Sequence, residues 1–241
     1  MYRGEERLNY IIEALQEAWY LIIGFDRELF NVVSTSLRLS ITSTFFASII
    51  GIPAGIFISR TDFGGKKIVN IILNTLLGLP TVVVGIFVYS LISRRGIMGE
   101  YEMLFSFRGI IIGQIILIVP LVTALIRNAI YSLDEKLYKT ARSLGATKIQ
   151  QFKLLILEAR YGIMGAVITG FGRVLGEVGI SMMLGGNIKG VTRTITTAMA
   201  LETNKGRFGF GLALGLILLL LAFIVNIGVY SLQEGEKYEQ R

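Results

Sequence analysis

The chain has no cysteine and no histidine among its 241 residues. Without cysteine there is no disulfide, and without either residue the usual zinc ligand sets and catalysis by thiolate or imidazole are excluded. A Gly-x-x-x-x-Gly-Lys-Ser/Thr phosphate loop is also missing, so any nucleotide chemistry belongs to another polypeptide. Charge is scarce as well. Only 17% of residues are charged against 53% hydrophobic, and a mean hydropathy of +0.64 is too apolar for a soluble domain of this length, so the chain is a membrane protein. The charge that remains sums to +7 but is scattered among loops flanking apolar stretches, which suits anionic lipid and an acidic partner or substrate rather than nucleic acid. The opening MYRGEERLNY does not read as a cleaved signal peptide, because Glu5 and Glu6 stand where positive charge is needed.

Five segments are long enough to cross a bilayer, which takes about 20 mostly apolar residues. They are expected at 30–59, 68–93, 109–126, 161–188 and 208–232; Pro53 is expected to kink the first, and Pro80 and Pro120 fall in the second and third. Leu8 to Phe25 is also apolar, but Glu13 and Glu17 share one face opposite Ile11, Ile12, Leu15 and Trp19. That pattern suits a helix lying in the membrane interface, with Tyr10, Trp19 and Tyr20 at headgroup depth; a sixth span is the alternative. The expected organisation is an N-terminal segment at 1–29, a transmembrane domain at 30–232 and a tail at 233–241. No second copy of the set is present, so a homodimer is the economical way to complete a two-fold pathway. Glycines four apart, at Gly51 and Gly55, Gly172 and Gly176, and Gly211 and Gly215, are suited to close helix approach.

A charged island, 132–160, interrupts the apolar chain. Ser132 with Glu135, and Thr147 with Gln150, are capping boxes. Leu133, Leu137, Ala141 and Leu144 recur at helical spacing until Gly145, the residue that most readily ends a helix. Ile149, Phe152 and Leu155 or Ile156 then supply the apolar face of a second short helix. An ordinary amphipathic hairpin has the same pattern.

Inside the fourth expected span lie Arg173 and Glu177, four residues apart and able to pair on one helical face. Charges in hydrocarbon are costly and normally face a bundle interior or a wet pathway, so this pair reads as lining or gating a route; a packing pair is the competing reading. Further on, Lys189, Arg193, Lys205 and Arg207 stand against one acid, Glu202, among threonines that include Thr197. Such a surface favours a small dianion or an acidic protein lobe, unless it is simply a solvated basic loop.

Two of these stretches resemble a known family. Ala141-Arg-Ser-Leu-Gly145-Ala146, with Leu155-Ile-Leu157 beginning ten positions after the glycine, resembles the EAA loop of ABC importer membrane subunits. In that family Glu-Ala-Ala, three residues, Gly and a spaced Ile-x-Leu-Pro dock into a groove of a cytoplasmic ATPase. Ala141, Gly145 and Leu157 match, Lys139 and Thr140 stand where Glu and Ala are usual, and Glu158 stands where Pro is usual. Phe171-Gly-Arg-Val-Leu-Gly-Glu-Val-Gly179, then Met182, Met183, Leu184 and Gly185-Gly186-Asn187-Ile188, is similar to a helix of molybdate, tungstate and sulfate permeases. The run from Thr192 to Gly206 looks more like the tungstate branch.

The resemblance implies an all-helical, MetI-like ABC importer permease bundle of about five transmembrane helices plus the N-terminal interfacial helix. It implies import of tungstate or molybdate, with ATPase coupling through Lys139, Thr140, Ala141, Leu144, Gly145, Ala146, Leu155 and Leu157. Arg173 and Glu177 then belong to the translocation path, and Lys189, Arg193, Thr197 and Lys205 to an external anion or receptor contact. The chain itself would carry no catalytic residue, metal or cofactor; ATP and Mg would sit on the partner. The implied partners are a second copy, two cytoplasmic ATPase subunits and an extracytoplasmic substrate-binding protein. A cytoplasmic loop at 132–160 and a cytoplasmic C-terminus put twelve Lys and Arg inside and ten outside, in the direction of the positive-inside rule. A sulfate or phosphate importer permease, and a passive channel or membrane scaffold, are the alternatives.

Overall fold

In lipid each backbone N–H and C=O must be satisfied within its own segment, so long apolar runs become helices. The computed structural model bears this out. It describes the backbone at residues 2–133, 140, 141 and 143–239, and the side chains at 11–133, 140, 141 and 143–232. Among the described residues there are ten α-helices and no strand. In chain order they are α1 (Tyr2–Ile23), α2 (Arg27–Arg60), α3 (Lys66–Leu77), α4 (Thr81–Ile92), α5 (Phe107–Tyr131), α6 (Lys148–Glu158), α7 (Arg160–Leu175), α8 (Gly179–Gly185), α9 (Ile195–Asn204) and α10 (Phe208–Glu239).

Among the described residues α2, α5 and the 208–232 part of α10 are each long and apolar enough to cross a membrane; counting α3 with α4 and α6 with α7 as broken spans gives up to five. Two expected spans therefore need correcting. The stretch 68–93 is two helices: Gly78 closes α3, and α4 restarts after Pro80, which has no N–H to continue the ladder. The stretch 161–188 is not continuous either, because α7 ends at Leu175 and the short α8 follows only at Gly179. Pro53 and Pro120, by contrast, lie within unbroken α2 and α5.

The contacts divide the chain into two compact units. The first comprises 1–43, 80–115 and 173–224. Its core gathers Ala18 of α1, Leu29, Val32 and Val33 of α2, Ile195 and Ala198 of α9, and Phe210, Ala213 and Leu214 of α10. The α1 residues that pack are Ala18, Leu21 and Ile22, while Ile11, Ile12, Leu15 and Trp19 stay exposed, so α1 carries a second apolar face beyond the one it buries. A Cβ on Gly211 or Gly215 would sit 3.0 Å from Thr203 Oγ1 or 3.3 Å from Met199 Cε, which lets α10 lie close against α9.

The second unit comprises 44–79, 116–172 and 225–241. Its core joins Ile56 of α2, Val122, Ile126 and Ile130 of α5, Leu155 of α6, Ala159 at the junction of α6 and α7, and Ala166 of α7. Gly51 and Gly55 allow this packing: a Cβ on Gly51 would lie 2.9 Å from Val122 Cγ1, and one on Gly55 would lie 2.8 Å from the Thr123 carbonyl oxygen.

Candidate functional site

The described part of the charged island, from Thr140 onward, forms an elbow. Thr140 and Ala141 are helical, Ala146 N–H donates to the Ala141 carbonyl at 3.0 Å, and Gly145 has φ +80°. That six-to-one bond over a left-handed residue is the helix ending that glycine adopts without steric cost. Lys139 and Glu135 lie outside the described residues. Ser132 turns its hydroxyl back to the Ala129 carbonyl at 2.8 Å, at the end of α5.

The second helix begins as its pattern predicts. Thr147 N–H donates to Gln150 Oε1 at 2.8 Å, and Gln150 N–H to Thr147 Oγ1 at 3.3 Å. The two faces of α6 then part company. Leu155 and Gln151 turn inward, Gln151 Nε2 donating to the Ala146 carbonyl at 2.7 Å, whereas Ile149, Phe152 and Leu157 are exposed. Leu144 at the tip is 82% exposed. These aliphatic and aromatic side chains near a left-handed glycine lie on the surface rather than in a core. Beyond it, α6 and α7 meet at 58° around Ala159 with no proline present. Arg160 Nη1 donates to the Leu157 carbonyl at 2.9 Å, so this side chain occupies one helix-end acceptor there.

The break after α7 is built by Glu177. Its carboxylate is 2% exposed and accepts from Arg173 Nη1 at 2.7 Å and from Ile180 N–H, at the start of α8, at 3.2 Å. The Glu177 carbonyl, freed by the break, accepts from Thr196 Oγ1 at 2.8 Å. Arg173 is 40% exposed. The pair thus joins a buried carboxylate to a half-exposed cation, which holds an interrupted helix in a defined shape.

The segment 186–207 also differs from a plain basic surface. Lys189 Nζ lies 2.6 Å and Arg193 Nη1 3.4 Å from the carboxylate of Glu28, at the start of α2. Glu202 is 1% exposed and lies 3.6 Å from Arg193, 3.2 Å from Lys205 and 3.0 Å from Arg207. Thr197 is fully buried, its hydroxyl in the capping box that starts α9. The four cations are therefore shared between two carboxylates. The part played by Glu28 has no local sequence signal, since it lies 161 residues from Lys189.

Comparison with known proteins extends these observations. The family described as the binding-protein-dependent transport system inner membrane component matches residues 47–235. The tungstate uptake system permease protein TupB of Campylobacter jejuni is 38% identical over 226 residues, covering 94% of this chain and 95% of that protein. TupB of Peptoclostridium acidaminophilum is 36% identical over 227 residues, 94% of this chain and 100% of that protein. The molybdenum transport system permease protein ModB of Escherichia coli K12 is 34% identical over 188 residues, 72% of this chain and 82% of that protein. Among solved structures, a chain of the inward-facing MetNI methionine ABC transporter superposes with a TM-score of 0.71 at 18% identity, covering 88% of this chain and 97% of that one. A chain of a bacterial alginate ABC transporter gives 0.71 at 20% identity, covering 97% and 91%. At such identities these two establish the fold alone, and it is the expected importer-permease bundle. With a family match over most of its length and relatives above a third identical along nearly all of it, this chain belongs to the family of multi-pass inner-membrane components of binding-protein-dependent transport systems.

Proposed function

We propose that this chain is the permease of an ATP-driven importer for tungstate, or for molybdate, working as a homodimer. The observation that carries the substrate is the reach of the likeness to two tungstate permeases, which extends over nearly the whole chain while the molybdenum permease matches a shorter part. The elbow supports the coupling. Two cytoplasmic ATPases, which bind the ATP and Mg, grip the exposed residues around Gly145, including Thr140, Leu144 and Leu157. Their closure moves the elbow as a rigid lever, and the bend between α6 and α7 passes that motion to the Arg173–Glu177 break. In this reading the elbow and the C-terminus are cytoplasmic. An extracytoplasmic binding protein docks at 186–207 and delivers the anion.

The test is reconstitution of the chain with its ATPase and binding protein in proteoliposomes. Tungstate uptake that requires both ATP and the binding protein is expected. Uptake driven by sulfate or phosphate, but not by tungstate or molybdate, overturns the substrate, and flux without ATP overturns the importer.

A further inference from the structure

Arg127 sits one turn before the end of α5 and is 7% exposed. Buried cations are normally neutralised by a carboxylate. Among the described residues Arg127 has none. Its guanidinium is held instead by neutral amides: Nη1 donates to Asn70 Oδ1 at 2.7 Å, Nη2 to Asn128 Oδ1 at 3.0 Å, Nε to the same oxygen at 3.2 Å, and Nη2 to Asn74 Oδ1 at 3.5 Å. All four residues belong to the second unit.

The amide orientation follows from chemistry. A guanidinium has only donors, so each asparagine must offer it the oxygen, and each Nδ2 is then turned away from the cation. Asn74 and Asn128 are exposed, and Asn70 and Asn74 share one face of α3, a helix with no buried residue. Amides exposed to lipid would be costly in so apolar a chain, so this face meets water or a second copy. Behind it lies a guanidinium that no carboxylate compensates among the described residues, and the exposed Asn74 and Asn128 amides carry the outward N–H donors.

We propose that Arg127, oriented by Asn70, Asn74 and Asn128, is an oxyanion station in this permease. It rests on the importer reading above and assigns a binding site within this chain to its cargo. The ligand class is a tetrahedral oxyanion, which accepts charge-assisted bonds from the guanidinium and further bonds from the amide nitrogens. Neutral amides position the cation without cancelling it. A single cation against a dianion also keeps occupancy weak enough for release, as conduction through a site requires.

The chain has no cysteine, so Asn74→Cys in the complex with its ATPase gives one reporter thiol in this subunit. The probes are an anionic sulfonatoethyl and a cationic trimethylammonioethyl methanethiosulfonate, each with and without tungstate. The anionic reagent is expected to react faster, and tungstate to slow both. Arg127→Gln in the same background should cut the anionic preference about tenfold, the size of one charged hydrogen bond, and abolish protection. Unchanged preference and protection overturn the station.

A second variant does not depend on the reporter folding. Asn70→Asp offers Arg127 a carboxylate, so it should raise thermal stability while lowering tungstate uptake about tenfold, a pairing of opposite signs that a packing role does not produce. Wild-type uptake in Asn70→Asp overturns the proposal. A phosphate headgroup has the same chemistry, so the labelling is repeated in bilayers with and without anionic lipid. Protection by tungstate in both supports the free anion; protection that follows lipid composition alone overturns it. If the wild-type complex imports another oxyanion and that anion protects the thiol, the station stands and the tungstate assignment falls. If tungstate is imported but neither variant responds, the station falls and the importer stands.

Discussion

The Arg173–Glu177 pair makes an asymmetric prediction, because its two members are unequally buried. The carboxylate is 2% exposed and the guanidinium 40%. Removing the cation with Arg173→Gln strands a buried carboxylate on the Ile180 N–H alone. Stranding a buried charge costs about 3–5 kcal/mol, and the retained backbone hydrogen bond brings the expected loss to about 3 kcal/mol. Removing the anion with Glu177→Gln instead leaves a guanidinium that water already reaches, and an amide oxygen still accepts from Ile180. That change should cost about 1 kcal/mol, in the range of solvated pairs.

The double variant should then be more stable than Arg173→Gln by about 2 kcal/mol, since the second change removes the stranded charge. Thermal or denaturant unfolding of the four proteins in lipid nanodiscs measures the cycle. Additive losses, or Glu177→Gln costing as much as Arg173→Gln, would refute the burial argument. Uptake adds a second axis. If the pair gates the path, Glu177→Gln impairs tungstate uptake while assembly with the ATPase persists, and unchanged uptake kinetics reduce the pair to a packing device.

Features set by neighbours in the chain were readable from the sequence, and features set by distant residues were not. Thr147 and Gln150 are three apart, Arg173 and Glu177 four, and Gly145 ends its own helix, so each pattern names its partner. Gly51 and Gly55 advertise a close approach without saying that α5 makes it. The break at 176–178 contains no proline to announce it, and it needs the Thr196 hydroxyl, 19 residues away, to satisfy the Glu177 carbonyl. The basic segment looked like an open anion surface because Glu28 enters it from the start of α2. Arg127 carries no local signal of its role, since Asn70 lies 57 residues from it and asparagine has no formal charge to flag the pairing.

Three other pairs of changes separate mechanical, electrostatic and packing roles. Gly145→Asp should abolish copurification with the ATPase, and Gly145→Ala, forced into φ +80°, should cost about 1–2 kcal/mol; a pulldown that survives the aspartate refutes docking at the elbow. Glu202→Ala removes a carboxylate that is 1% exposed and paired with Arg193, Lys205 and Arg207, leaving Arg193 on Glu28, and should cost about 2 kcal/mol, whereas Glu28→Ala should cost under about 1 kcal/mol because Lys189 is exposed and Arg193 keeps Glu202; unfolding in nanodiscs distinguishes them, and equal losses would refute the ranking. Gly55 and Gly165 should answer the same substitution with opposite signs. A methyl at Gly55 meets the Thr123 oxygen at 2.8 Å and Ile126 Cβ at 2.9 Å, so Gly55→Ala must push α2 from α5 and lose about 1–3 kcal/mol. A methyl at Gly165 meets nothing within 4 Å inside helical α7, so Gly165→Ala should gain about 0.5–1 kcal/mol by reducing the freedom of the unfolded chain. Because both changes add the same atoms to a helix, any shared effect of propensity cancels in the comparison. What remains is the clash, and equal shifts in melting temperature would mean that α2 and α5 are not held together at Gly55.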